Sequence, residues 1–317
     1  VDIGVSTGIV NYIGDLGNEK KFPFSSYNTG SAITFRNFLL DPRSAGLKYN
    51  KFDIQVRFSW HRLQYDETAP LGGKKGVELR NYLRGLSFRN DLLGTEVGFT
   101  YNYVPGQHTR LAKPKVAYFV TAGVGIFYGR PMADLFRGEQ SLGNRYYFWK
   151  DGTIRDAPEN GKLLGNVIKK DGVYETDLSQ WNTEGQGYAS EGTGTKPYSN
   201  WNVGFPISCG VRYIYNKYWS FSAELSYYFF LTDYLDDVSN RYATYDELKS
   251  SFPDPVQFEL AKYISDPTGY GTDGTIGPRT SRRGNPALKD GFSFFSVEAS
   301  YKFAWRKRAV FGRRRAR

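Results

Sequence analysis

Every second residue from Phe295 to Phe303 is apolar (Phe295, Val297, Ala299, Tyr301, Phe303), and those between, Ser296, Glu298, Ser300 and Lys302, are polar. Side chains alternate faces along a strand, so this stretch has one apolar and one polar side. The period recurs in Phe52, Ile54, Val56, Phe58 and Trp60 against Asp53, Gln55, Arg57, Ser59 and His61. It recurs in Leu93, Thr95, Val97, Phe99, Tyr101 and Tyr103 over Gly94, Glu96, Gly98, Thr100 and Asn102. Tyr118, Val120, Ala122, Val124, Ile126 and Tyr128 alternate with Phe119, Thr121, Gly123, Gly125 and Phe127. Val203, Phe205, Ile207, Cys209, Val211, Tyr213 and Tyr215 form another such face, and Trp219, Phe221, Ala223, Leu225, Tyr227 and Phe229 one more. Residues 1–10, small and acidic on one side, and residues 27–39, with Ile33 and Phe35 opposite Thr34 and Arg36, carry the pattern more weakly.

These stretches make eight strands, and their connections alternate long and short from first to last. A soluble sandwich or an all-β lipid carrier also needs an inside and an outside. Strands of about ten residues with aromatic ends match a tilted bilayer crossing between two aromatic belts. The order of connections matches a barrel with short turns on the periplasmic side and long loops outside. The pattern therefore predicts an all-β fold: an eight-stranded antiparallel transmembrane β-barrel with long extracellular loops, both termini periplasmic, and an occluded interior. At this strand number side chains fill the lumen. Buried charges need partners, so the inward Arg57, Arg212 and Lys302 are expected to pair with Glu96, Glu224 and Glu298.

Within the long loops, Asp-Gly at 151–152 and 171–172 predicts two hairpins with tight primed turns. The glycine-rich stretch 185–194 is expected to be mobile, and residues 255–264 read as a short helix.

Composition changes this picture little. The chain has 317 residues, 25 Tyr and 23 Phe among them, and a mean hydropathy of -0.54. No run is long and apolar enough for a membrane helix, which leaves a barrel open because its strands are apolar only at alternate positions. The single cysteine, Cys209, excludes an intrachain disulfide. The sequence starts on a strand pattern, so any export signal is expected to have been removed or omitted.

The net charge of +10 points first to nucleic acid, but seven of the basic residues (Arg306, Lys307, Arg308, Arg313, Arg314, Arg315, Arg317) lie beyond the last strand. The chain thus divides into a barrel, 1–305, and a basic periplasmic tail, 306–317. The tail suits an acidic periplasmic partner or anionic headgroups, and no nucleic acid is expected.

Candidate chemistry is sparse. His61 and Ser59 share the inward face of one strand without an identifiable orienting acid, and His108 falls in a turn. Asp233, Asp236 and Asp237 cluster at a strand end without the spacing of a calcium loop, which favours a strand cap or a loop-anchoring hydrogen-bond cluster. Gly72-Gly73-Lys74-Lys75 and Gly192-Thr193-Gly194-Thr195 lack phosphate-loop spacing. No catalytic residue, metal site or cofactor is assigned.

Several segments together carry a resemblance. They are Asn11-Tyr12-Ile13-Gly14-Asp15, the basic segment 80–90, Leu231-Thr232-Asp233-Tyr234-Leu235-Asp236-Asp237-Val238-Ser239, Arg283-Gly284-Asn285-Pro286, and the closing 294–303. In these the chain resembles the PorG-like outer-membrane proteins of the Bacteroidota, associated with type IX secretion. The resemblance implies a non-enzymatic barrel that works with the periplasmic ring, made of a lipoprotein and its partner subunit. The residues expected to touch that ring are in the turns, Arg43, Lys48, Arg110, Lys113, Lys115 and Lys217, and in the tail. Two other readings stay open: a standalone surface barrel whose loops bind extracellular ligands, and an outer-membrane enzyme using His61.

Overall fold

The computed structural model describes residues 1–16, 27–38, 51–68, 77–105, 115–159, 165–187, 197–216, 218–271 and 282–303. Eight long strands dominate it: β1 (Asp2–Ile13), β2 (Asn28–Phe38), β3 (Phe52–Asp66), β4 (Ser87–Tyr103), β5 (Val116–Tyr128), β6 (Trp201–Ile214), β7 (Trp219–Phe230) and β8 (Gly291–Lys302). Each pairs antiparallel with its sequence neighbours, and β8 pairs back onto β1 from Asp2↔Lys302 to Ile13↔Gly291. The sheet therefore closes on itself, as expected, and leaves no edge.

Burial shows what each face meets. Outward residues such as Val120 (53%), Leu225 (52%) and Val297 (55%) are exposed, while inward Arg57 (4%), Glu96 (3%) and Glu298 (4%) are buried. This apolar-out, polar-in arrangement is unfavourable in water and favourable in a bilayer. Exposed Tyr101, Tyr103, Tyr118, Tyr213 and Trp219 ring the short-turn end, and Trp201, Phe229 and Leu231 mark the other. From Tyr118 to Tyr128 a strand rising about 3.3 Å per residue and tilted by roughly 40° spans about 25 Å, the height of a lipid-facing band.

Charge fills the lumen, with a pairing that differs in part from the expectation. Arg57 binds Glu224 through Nη2 at 2.9 and 2.8 Å. Glu298 instead takes Arg36, in a fork of two 2.6 Å bonds. Glu96 accepts from Ser59 Oγ at 2.7 Å and from the Tyr228 hydroxyl at 3.3 Å. Arg212 donates to Asn102 Oδ1 at 3.3 Å and lies 4.9 Å from the Phe119 ring centre. Lys302 is exposed at the end of β8, where the ladder to β1 still pairs it with Asp2. A Cβ at Gly4 would collide with the Glu298 carboxyl, so glycine makes room for the Arg36–Glu298 fork.

Toward the long-loop end the lumen turns aromatic, with Phe127, Tyr228, Phe230, Phe292 and Phe294 all buried. This plug is continuous with a core built from the loops, including Tyr82, Phe136, Tyr146, Leu178, Leu235 and Ile264. The described parts of the long loops form a folded cap.

Several cap elements differ from the sequence reading. The basic stretch 80–90 ends one helix and starts a strand: α1 (Val77–Arg84) turns Tyr82 into the core, stops at Gly85 (φ +65), and β4 begins at Ser87. β3 and β4 thereby pair up to Asp66↔Ser87, beyond the lipid-facing part of the wall. The turn at Gly152 (φ +82) joins a two-residue hairpin, Tyr147–Phe148 with Ile154–Arg155, as expected. Gly172 (φ +78) makes a turn without paired strands, because the Asp134 and Asp171 side chains hold its flanks.

Helix α2 (Tyr245–Ser251) carries a capping box from Thr244 and Glu247. The expected helix is α3 (Pro255–Ser265), started by Asp254, whose side chain accepts from Val256 and Gln257 N–H. Most of the glycine-rich stretch, 188–194, lies outside the described residues, as do 304–317.

Candidate functional site

Between plug and cap lies a buried polar junction rich in charged side chains. The upper end of β1 delivers Tyr12, whose hydroxyl donates to Asp236 at 2.5 Å and lies 3.4 Å from Asp290. Gly14 follows, where a Cβ would collide with the Tyr12 hydroxyl and the Asp290 carboxylate. Asp15 accepts from Asn285 N–H at 2.7 Å. The connection after β7 supplies Asp236 and Asp237, and Leu235 N–H donates to Asp290 at 2.8 Å. Asp237 holds a left-handed φ of 66°, a conformation that aspartate tolerates better than most residues.

One buried cation, Arg283, organises the far side. It donates to the Asp237 carbonyl, reaches Asp237 Oδ2 at 3.1 Å, and lies 3.5 Å from Glu184. Asp237 also accepts from Thr183 and Tyr198, both at 2.7 Å. Glu184 accepts from Ser239 and Asn240 N–H at 2.8 and 3.1 Å. A second cation, Arg84 of α1, pairs with Glu67 and donates to the carbonyls of Arg283 and Asp15. Asn90 of β4 donates to the Leu235 carbonyl at 2.8 Å.

The acidic trio is thus put to different uses. Asp236 and Asp237 tie loop to barrel, which is the loop-anchoring role expected from their spacing, and Asp233 is buried beside them. Arg36, Glu67, Glu184 and Arg283 were missed as partners. Their partners lie from 17 residues away, as for Glu67 and Arg84, to 262, as for Arg36 and Glu298, and spacing does not encode which pair forms.

Burial raises the pKa of three carboxyls here, Asp15, Glu184 and Asp290. Asp15 is pushed up to about 6, with the charge of Asp233 adding to burial and the Asn285 N–H opposing it. Glu184 is pushed up to about 7 by burial, against the attraction of Arg283. Asp290 is raised by burial and by the facing Asp236. A carboxyl whose folded pKa is raised holds its proton after the unfolded chain has released it. Stability is therefore fully present below about pH 4 and lost as pH rises through 6 and 7.

Each extra proton held changes stability by at most about 1.4 kcal/mol per pH unit, and by less for the half-buried Asp15. Thermal unfolding of the cap, followed by near-UV circular dichroism in detergent, is expected at higher temperature at pH 5 than at pH 8. The opposite order would contradict this electrostatic picture.

His61 sits just below, in the plug. Tyr228, Phe292 and Phe294 surround it at ring-centre distances of 5.1, 4.8 and 4.7 Å. Among the described residues neither of its nitrogens has a hydrogen-bond partner, and Ser59 gives its hydrogen bond to Glu96 instead. A nucleophile–base pair is not assembled. His61→Leu removes an unsatisfied buried group, a gain of roughly 1–3 kcal/mol that offsets the lost ring contacts. The urea midpoint is expected to stay level or rise. A fall worth more than about 2 kcal/mol would show that the imidazole has a partner, since an unsatisfied group has no such contribution to lose.

Of the residues expected to touch a partner, Lys115 is described. It is exposed at the short-turn end, and its carbonyl accepts from Ile214 N–H at 2.6 Å. Arg43, Lys48, Arg110, Lys113, Lys217 and the basic residues of 306–317 lie outside the described residues, as do His108 and both glycine-threonine or glycine-lysine segments.

Lipid-facing belt, paired lumen and aromatic plug define the class: an eight-stranded transmembrane β-barrel of the outer-membrane type, occluded and capped. No protein-family model matches the chain, and no curated protein does. Among solved structures, Neisserial surface protein A (NspA) is similar over 95% of this chain and 96% of its own, at 8% identity and a TM-score of 0.37. The outer membrane protein OprG from Pseudomonas aeruginosa covers 96% of each chain at 10% identity and 0.36. The outer membrane enzyme PagL covers 96% of this chain and 100% of its own at 8% and 0.31. At these scores no residue or activity carries over, and the fold rests on this chain's own pairing and burial.

Proposed function

We propose that this protein is a non-enzymatic outer-membrane component of a type IX secretion apparatus, anchoring or positioning the periplasmic lipoprotein ring. The supporting observation is a convergence. Tyr12, Gly14 and Asp15, Arg84 and Asn90, Leu235 to Ser239, and Arg283 with Asn285 come from separate segments that carry the family resemblance, and they meet in one buried junction. Residues that resemble a family only at scattered places, yet share one network, are what a common architecture requires.

An occluded lumen suits an anchor better than a passage. In this reading the short turns, both termini and Lys115 face the periplasm, and electrostatic contact with the ring runs through the basic turns and tail. The test is a detergent pull-down comparing the intact protein with one ending at Trp305. Ring lipoprotein recovered with the intact form and lost on truncation supports the proposal. Absence of ring components from both samples would overturn it.

The ordered cap favours a second reading, a standalone barrel that displays its loops to the exterior. Its core is continuous with the plug, which ties the described part of the cap to the barrel end.

A further inference from the structure

We propose that the outer wall of β3, β4 and β5, at the long-loop end, holds the anionic phosphate of a lipid headgroup between Arg62 and Arg130. On each of these strands a cation stands just beyond the apolar, lipid-facing positions. Moving toward the cap, Trp60 gives way to Arg62, Leu93 to Asp91 and then Arg89, and Tyr128 to Arg130.

The register gathers these residues into one sector. Arg62 pairs opposite Asp91, and Asn90 opposite Pro131, so Arg130 enters alongside Asp91. Asp91 accepts a fork from Arg62 at 2.8 and 3.2 Å and lies 3.5 Å from Arg89. Asp177 lies 3.5 Å from Arg130 and also accepts from Ser179 N–H and the Gln180 side chain. Three guanidinium groups thus meet two carboxylates, an excess of one positive charge.

The cations are within reach of a ligand. The Arg62 and Arg130 side chains are 36% and 52% exposed, and Arg62 gives only its Nε and Nη2 to Asp91. Arg62 lies 5.3 Å from the centre of the Trp60 ring, and Arg89 is held 4.3 Å from that of Tyr174. Elsewhere on the rim the matching outward positions are uncharged: Tyr27 and Thr29, Ser199 and Trp201, Phe229 and Leu231. Lys289, before β8 and across the ring from β4, stands apart.

Guanidinium forks match phosphate oxygens, and each cation near a bilayer surface strengthens anionic lipid binding about fivefold. Tryptophan and tyrosine rings mark headgroup level, so a lipid whose chains lie on the apolar wall presents its phosphate to this sector. A soluble anion lacks that tether and gains nothing from the wall. The site depends on the membrane-spanning wall and not on a role in secretion.

Photo-crosslinking of the full chain in vesicles tests this. The vesicles carry phosphatidylglycerol or phosphatidylcholine with the same photoactivatable acyl chain, and mass spectrometry maps the adducts. On peptides spanning 58–64 and 126–132, adducts are expected about tenfold more often from phosphatidylglycerol. Arg62→Gln with Arg130→Gln should lower them about tenfold there, in samples that keep heat-modifiable migration, while Lys289→Gln leaves them unchanged. Equal adducts from both lipids, or undiminished adducts in the double variant, would overturn the site. An equal loss in Lys289→Gln would show a diffuse field in its place and overturn it too. Adducts that persist in excess inorganic phosphate support a lipid ligand, and their displacement would overturn that assignment.

Discussion

Arg283→Ala is expected to unfasten the cap while leaving the barrel closed. Arg283 is 2% exposed and is the cation shared by Asp237 and Glu184. Its removal leaves two carboxylates buried near each other, and breaking a buried pair in this way costs roughly 3–5 kcal/mol. Glu184 can relieve part of that cost by taking a proton, since its pKa already sits at about 7. The effect is therefore larger at pH 8 than at pH 6. The barrel closes through strand ladders that Arg283 does not join, so folded migration on a cold gel should persist. Proteases should cut the variant within the cap at alkaline pH and spare the wild type. An unchanged cleavage pattern at both pH values would contradict the role given to Arg283.

The second large effect lies in the lumen. Arg36→Met strands Glu298 among buried groups, again at roughly 3–5 kcal/mol, which is a large share of the stability of most single domains. Replacing both residues, Arg36→Met with Glu298→Met, removes both charges and should recover most of the loss. Urea unfolding in liposomes measures the cycle. A double variant as unstable as the sum of the singles would show that the fork is not the interaction at stake.

The wall of the barrel was legible because it depends on a local period. Strands such as β3, β5 and β8 announce inside and outside residue by residue, and α3 announces itself through Asp254 and Pro255. What the pattern did not carry was pairing across the lumen. Arg36 was readable as inward, but whether it or Arg57 meets Glu298 depends on stagger between strands distant in sequence. The cap was less legible still. Helix α1 has only two turns with basic residues between its apolar positions, and its burial comes from Phe148 and Leu86 after the chain has folded. The junction lay in plain view as Tyr12, Asp236 and Arg283. Its meaning as one site came only from their contacts.

Lipid on the outside and polar groups on the inside is the central claim, and the chain's single cysteine tests it without mutagenesis. Cys209 is exposed on the outward face of β6, between Ile207 and Val211. An environment-sensitive fluorophore on this thiol, in reconstituted vesicles, should emit as in hydrocarbon and be quenched by lipid-borne quenchers while escaping aqueous iodide. Emission typical of water with efficient iodide quenching would place the apolar face in solvent and contradict a membrane-spanning barrel.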